Sequence, residues 1–185
     1  EADLGRRPGM RALVGLLTSL RVDVELATGD IERARAALAA YDQGVAERRP
    51  ELPSARPDAV SNCRARFLLA TAAPERVRPT VAHLLDQTGG EAVQAWLAVA
   101  LAEDRLRHDA LAIEAMARAL DLAVAEGVLL PFARPRPPVA AALRRHLEVV
   151  GTHRALVEPW LRASSGAVAP ASAPVTAAAL TEREQ

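Results

Sequence analysis

Residues Glu91 to Phe132 read EAVQAWLAVALAEDRLRHDALAIEAMARALDLAVAEGVLLPF. Val93, Trp96, Leu97, Ala100 and Leu101 recur at i, i+3, i+4, i+7 and i+8, the spacing that places side chains on one face of an α-helix. After the polar turn Glu103 to Arg107, a second helix is expected to start near His108 or Asp109. It should run to Gly127, where glycine can adopt the positive φ of a helix end. Its apolar stripe is read as Ile113, Met116, Leu120 and Val124. Ala112, Ala115, Ala119 and Ala123 lie beside the stripe, so the two helices of this hairpin can approach closely.

The surrounding chain predicts more of the same architecture. A first helix is expected from about Gly9 to Thr28, with its apolar face at Leu13, Leu16, Leu17, Leu20, Val24 and Ala27. Gly29-Asp30 makes a turn and an N-cap, and a second helix follows from Ile31 to about Glu47. Beyond the proline-rich stretch Arg49 to Pro57, helices are expected from Asp58 to Thr71 and from Pro74 to about Gln87, with Pro79 kinking or shortening the latter. Pro135 to Pro138 interrupts the chain. A further pair is then read at Val139 to Val150 and at His153 to Leu161, where Pro159 sets the first turn apart. The Ala/Ser/Pro-rich segment 164–179 reads as a linker.

The first two hairpins repeat one another in sequence. At one constant offset Arg21, Leu26, Ala27 and Thr28 match Arg64, Leu69, Ala70 and Thr71, and Glu32, Arg33 and Arg35 match Glu75, Arg76 and Arg78. The pattern Trp96-x2-Val99-Ala100, Ala112-x3-Met116, Ala119-Leu120 resembles the tetratricopeptide repeat, with Glu103 in a position that usually holds an aromatic. The expected fold is therefore all-α, a short right-handed superhelix of about four stacked antiparallel hairpins over residues 1–163.

Composition limits the function classes. Half of the residues are hydrophobic but only 3% are aromatic, so the core must be built from Ala, Leu and Val. Formal charge is +0 and all 23 basic residues are arginine, which removes phosphate-binding and Schiff-base lysines and gives no net basic footprint for nucleic acid. The arginine pairs Arg6-Arg7, Arg48-Arg49 and Arg144-Arg145 read as solvated helix surface. Cys63 is the single cysteine, so no intramolecular disulfide forms and a cytoplasmic setting is expected, with no signal peptide or membrane span.

Catalytic, cofactor and metal residues are expected to be absent. His83, His108, His146 and His153 lack metal-ligand spacing apart from the pairing of His108 with Asp104, and His146 reads as a core histidine bonded to a backbone carbonyl. Glu103 and Asp104 read as solvated turn residues, Cys63 as a packed thiol, and Trp96 and Trp160 as core anchors. If Trp96, Val99, Ala100 and Glu103 face a packing partner, Gln94, Leu97, Leu101, Asp104 and Arg105 share a neighbouring face that can line a groove.

Two further stretches carry a family resemblance. Leu180, Thr181, Glu182, Arg183 and Glu184 are similar to the opening of the LuxR-type helix-turn-helix domain, in which the threonine caps the first helix. Residues Ala119 to Phe132 resemble the end of the sensor array in large MalT-like regulators of the LuxR family. The resemblance implies a regulator in which a nucleotide-binding switch domain precedes the array, the array senses a small-molecule inducer or a protein or peptide, and a domain beyond the C-terminus binds DNA. It implies that this chain is a piece of a longer protein. A constitutive tetratricopeptide-like interaction scaffold is the alternative, and pairing of terminal repeats into a homo-oligomer stays open.

Overall fold

The computed structural model describes residues 8–46, 58–133, 137–146 and 153–166. These form α1 (Pro8–Thr28), α2 (Ile31–Ala46), α3 (Asp58–Ala70), α4 (Val77–Val81), α5 (Gly90–Arg105), α6 (Asp109–Ala125), α7 (Leu130–Ala133), α8 (Pro137–His146) and α9 (Arg154–Gly166), with 3-10 turns at Pro74–Arg76 and Ala82–Leu84. No strand occurs among the described residues, so the protein is all-α.

Consecutive helices pair, α1 with α2, α3 with α4, α5 with α6 and α8 with α9. The first helix of each pair also packs on the first helix of the next, α1 on α3, α3 on α5 and α5 on α8. α3 consequently has two apolar faces. Val60 and Cys63 join Val22, Ala34, Leu38 and Tyr41 in one core, while Ala65 and Leu69 join α4, α5 and α6 in a larger one.

One backbone device closes four of the helices. In the Schellman geometry the residue after the C-cap takes positive φ, and the next amide reaches back five residues to an orphan carbonyl. Gly29, Ala72, Arg107 and Gly127 have φ of 80°, 56°, 63° and 69°. The following amides of Asp30, Ala73, His108 and Val128 donate to the carbonyls of Glu25, Leu68, Glu103 and Ala123. Two of the four stops carry no glycine, so no sequence signal marks them. After the first stop Asp30 caps α2 as expected, its Oδ1 accepting from the Arg33 amide at 3.0 Å.

The structure corrects several expectations. The face of α1 carrying Leu13, Leu16, Leu17, Leu20 and Val24 is turned outward, each residue between 47% and 61% exposed, while Val22 is fully buried on the opposite side. The buried side instead carries the small residues Gly15 and Ser19 beside Val22, and α1 packs on both α2 and α3. On α6, Val124 is exposed and the core contact is made by Ala112, Ala115, Met116, Ala119, Leu120 and Ala123.

The segment after Pro74 is three short helical pieces ending at Leu84, and Pro79, which has no backbone donor, lies inside the middle one. Pro137 and Pro138 open α8 rather than stopping the chain, since proline is compatible with the first helical turn. α9 passes through Pro159 and continues to Gly166, so Ser164 and Ser165 are helical. Phe132, at the end of the stretch that carries the family resemblance, belongs to α7 and is fully buried. The remainder of the expected linker and Leu180, Thr181, Glu182, Arg183 and Glu184 lie outside the described residues, as do Arg6-Arg7 and Arg48-Arg49.

Candidate functional site

A groove of about 600 Å3 crosses the first helix of every hairpin. α1 contributes Leu16, Ser19, Leu20, Asp23 and Leu26, and α3 contributes Ala59, Asn62, Arg66 and Leu69. On α5 the lining residues are Glu91, Gln94, Leu97, Ala98, Leu101 and Arg105, and Leu130, Pro131, Pro138 and Val139 close the far end. The residues on each helix recur at spacings of mostly three or four, with Ser19-Leu20 and Leu97-Ala98 adjacent, so one face of each helix lines the groove.

Of the five residues expected on such a face, Gln94, Leu97, Leu101 and Arg105 line the groove. Asp104 lines a second depression of about 340 Å3 beside it, together with Leu101, Arg105, Arg107, Pro138, Ala141 and Arg145. Leu101, Arg105 and Pro138 belong to both hollows, which makes them continuous.

The contributions of α1 and α3 were also legible in the repetition. The offset that aligns Arg21 with Arg64 carries Leu16, Ser19, Asp23 and Leu26 onto Ala59, Asn62, Arg66 and Leu69. Aligning the left-handed residues Ala72 and Arg107 carries Ala59, Asn62, Arg66, Leu69 and Ala70 onto Gln94, Leu97, Leu101, Asp104 and Arg105. With Asp104 excepted, equivalent positions of three hairpins therefore face one hollow.

Its polar groups are held by neighbours. Arg66 donates from Nε and Nη2 to the Asp23 carboxylate at 2.8 and 3.1 Å and from Nη2 to Ser19 Oγ at 3.3 Å, tying α3 to α1. Asn62 is buried and donates to the Glu91 carbonyl at 2.9 Å and to Glu91 Oε2 at 2.6 Å, tying α3 to α5, while its Oδ1 has no hydrogen-bond partner among the described residues. Arg105 donates from Nη1 to the Leu69 carbonyl. Gln94 makes no side-chain hydrogen bond among the described residues.

Glu103 and Asp104 are the opposite of the solvated pair expected, with side chains only 9% and 12% exposed. Glu103 accepts from Arg78 Nε at 3.2 Å and lies 2.9 Å from His108 Nδ1. His108 thus pairs with Glu103, not Asp104. Asp104 Oδ1 accepts from Arg145 Nη1 at 2.6 Å and lies 3.0 Å from His146 Nε2. His146 is buried as expected, but its partner is a carboxylate from α5 and not a backbone carbonyl.

Donor atoms of Asp104, Asp109 and His146 lie within 4.8 Å of one another, a grouping invisible to helical spacing because His146 comes from a different hairpin. The Arg145 guanidinium already places a positive charge on Asp104 there. His153 Nε2 pairs with Asp121 at 2.7 Å, and His83 Nε2 lies 3.3 Å from Ser61 Oγ. Cys63 is buried, and burial pushes its thiol up from the ordinary 9.0 to about 11, with Arg66 opposing the shift. Trp96 is half-buried, its Nε1 donating to the Leu85 carbonyl at 3.1 Å, and Trp160 packs on the rim of the larger core.

No family model matches the chain, and no curated protein or solved structure matches it. No helix among the described residues is long and apolar enough to cross a membrane.

Proposed function

We propose that this chain is the sensing or interaction region of a LuxR-family transcriptional regulator of the MalT-like type, built on a tetratricopeptide-like array and working in the cytoplasm without catalysis. A ligand seated in the groove alters the packing of the hairpins and acts through segment 164–179 on a DNA-binding domain following Gln185. The observation that supports this reading is that one groove draws its lining from α1, α3, α5, α7 and α8. An occupant touches every hairpin at once, so its affinity depends on their relative spacing, and only such differential affinity can shift a conformational equilibrium. The match of Leu180 to Glu184 to the start of a helix-turn-helix supplies the effector end.

The coding sequence on either side of the chain tests the regulator reading. A basic helix-turn-helix after Gln185 and a Gly-x-x-x-x-Gly-Lys-Ser/Thr loop upstream of Glu1 are expected; absence of the former removes the regulator from consideration. For the groove itself, Gln94→Ala and Arg105→Ala are expected to weaken ligand binding, and unchanged affinity in both would remove the seat.

A constitutive protein-interaction scaffold is the second reading, favoured by one feature. The outward leucines of α1 continue the groove rim beyond Leu16 and Leu20 to Leu13, Leu17 and Val24, an apolar strip suited to a protein partner. Partner binding that requires no small effector would decide for the scaffold.

A further inference from the structure

The basic hollow at the end of the groove indicates what kind of ligand the groove takes. Arg105, Arg107 and Arg145 line it against a single lining carboxylate, Asp104. That carboxylate is already matched by Arg145 and His146. Asp109 is exposed, within 4.8 Å of Asp104 and His146, and does not line the hollow. Arg105 and Arg107 are exposed. Arg105 uses one nitrogen on the Leu69 carbonyl, and Arg107 makes no side-chain bond among the described residues, so guanidinium donors remain free to face solvent.

Apolar surface leads directly into this hollow. Leu101 and Pro138 border both cavities, and Leu97, Ala98 and Val139 continue the wall into the larger groove. A charged head at the arginines with an apolar body along these residues would satisfy both surfaces at once. Guanidinium groups present paired N–H donors that match the two oxygens of a carboxylate.

We propose that the groove binds a small amphipathic organic anion, with its apolar chain lying along Leu97, Leu101 and Val139 and its carboxylate held by Arg105, Arg107 and Arg145. This rests on the groove being the ligand seat proposed above, and it adds the ligand's chemical class. Arg107 contributes the separable part of the site. It lies outside the helices at φ 63°, so Arg107→Gly removes the guanidinium while relieving the backbone.

Calorimetric titration of the whole chain with decanoate, decan-1-ol and decyltrimethylammonium is the test. Decanoate is expected to bind about ten-fold or more tighter than the alcohol, and the ammonium weakest, the scale of one charge-assisted hydrogen bond. Arg107→Gly is expected to cut decanoate affinity about ten-fold and leave decanol unchanged. Equal affinity for acid and alcohol, or a preference for the ammonium, overturns the anionic class while keeping the groove as an apolar seat. Failure of all three probes to bind overturns the ligand class outright. Neither result bears on the regulator reading, which the flanking sequence decides separately.

Discussion

Asp104 on α5 and His146 on α8 meet at 3.0 Å across a sequence separation of 42 residues, both side chains largely buried. Removing the carboxylate takes away the hydrogen-bond partner of a buried imidazole. Asp104→Ala is therefore expected to lower stability by about 2 kcal/mol in urea unfolding, because an orphaned buried polar group carries its full desolvation cost. Asp121→Ala, which strips the more exposed pair with His153, is expected to cost less than about 1 kcal/mol. Equal losses would show that burial does not set the strength of these pairs.

The inward face of α1 is defined by Val22, not by its leucines. Val22→Ala should destabilise by about 2 kcal/mol through the void it leaves. Leu17→Gln should change stability by less than about 0.5 kcal/mol, as for a surface position. The reverse ranking, read from thermal or urea midpoints, would mean that the leucine stripe is packed.

Ala119 sits fully buried on the side of α6 that faces α5. Ala119→Leu should lower stability by about 2 kcal/mol, because the added branches force the two helices apart. Val124→Leu, on the exposed side of the same helix, should leave the unfolding midpoint unchanged.

Ala72 holds a left-handed backbone at φ 56° that β-carbons disfavour. Ala72→Gly is expected to raise stability by about 1 kcal/mol, since glycine takes this conformation without the steric penalty. A fall in the midpoint would contradict the geometry of that helix stop.

The Cys63 thiol, raised by burial to about 11, should resist alkylation in the folded chain at pH 8 and react fully once urea unfolds it. The sign of the linkage follows from the same shift. The unfolded thiol ionises near 9.0 while the folded one holds its proton to about 11, so stability present below pH 9 is lost as pH rises through that interval. Cys63→Ala should flatten this alkaline decline in urea-unfolding midpoints. An unchanged pH profile would show that the thiol does not contribute to it.

Helix positions were legible in the sequence because they depend on local chemistry. Asp30 caps α2 with its own carboxylate and Gly127 takes a positive φ at no steric cost, whereas on α5 the spacing of Val93, Trp96, Leu97, Ala100 and Leu101 marks a helix that is buried on nearly all sides, with Trp96 and Leu101 only half-buried. The same periodicity placed Gln94, Leu97, Leu101 and Arg105 together, and they line one hollow. Periodicity reports which residues share a face. It cannot say what that face meets, and on α1 the most apolar face remained in solvent while Gly15, Ser19 and Val22 made the closer packing surface.

The sequence by itself determined the all-α class and, on α5, the sharing of one face by Gln94, Leu97, Leu101 and Arg105, since each follows from interactions within a few residues along the chain. Only the tertiary structure decided that Ala72 and Arg107 end helices without glycine, that Glu103 and Asp104 are buried ion-pair centres, and that three arginines gather at one end of an apolar groove. These depend on which distant charges and carbonyls helix packing brings within a few ångströms, as it brings Arg145 and His146 to Asp104. Coulomb attraction and desolvation act on that distance, not on separation along the chain.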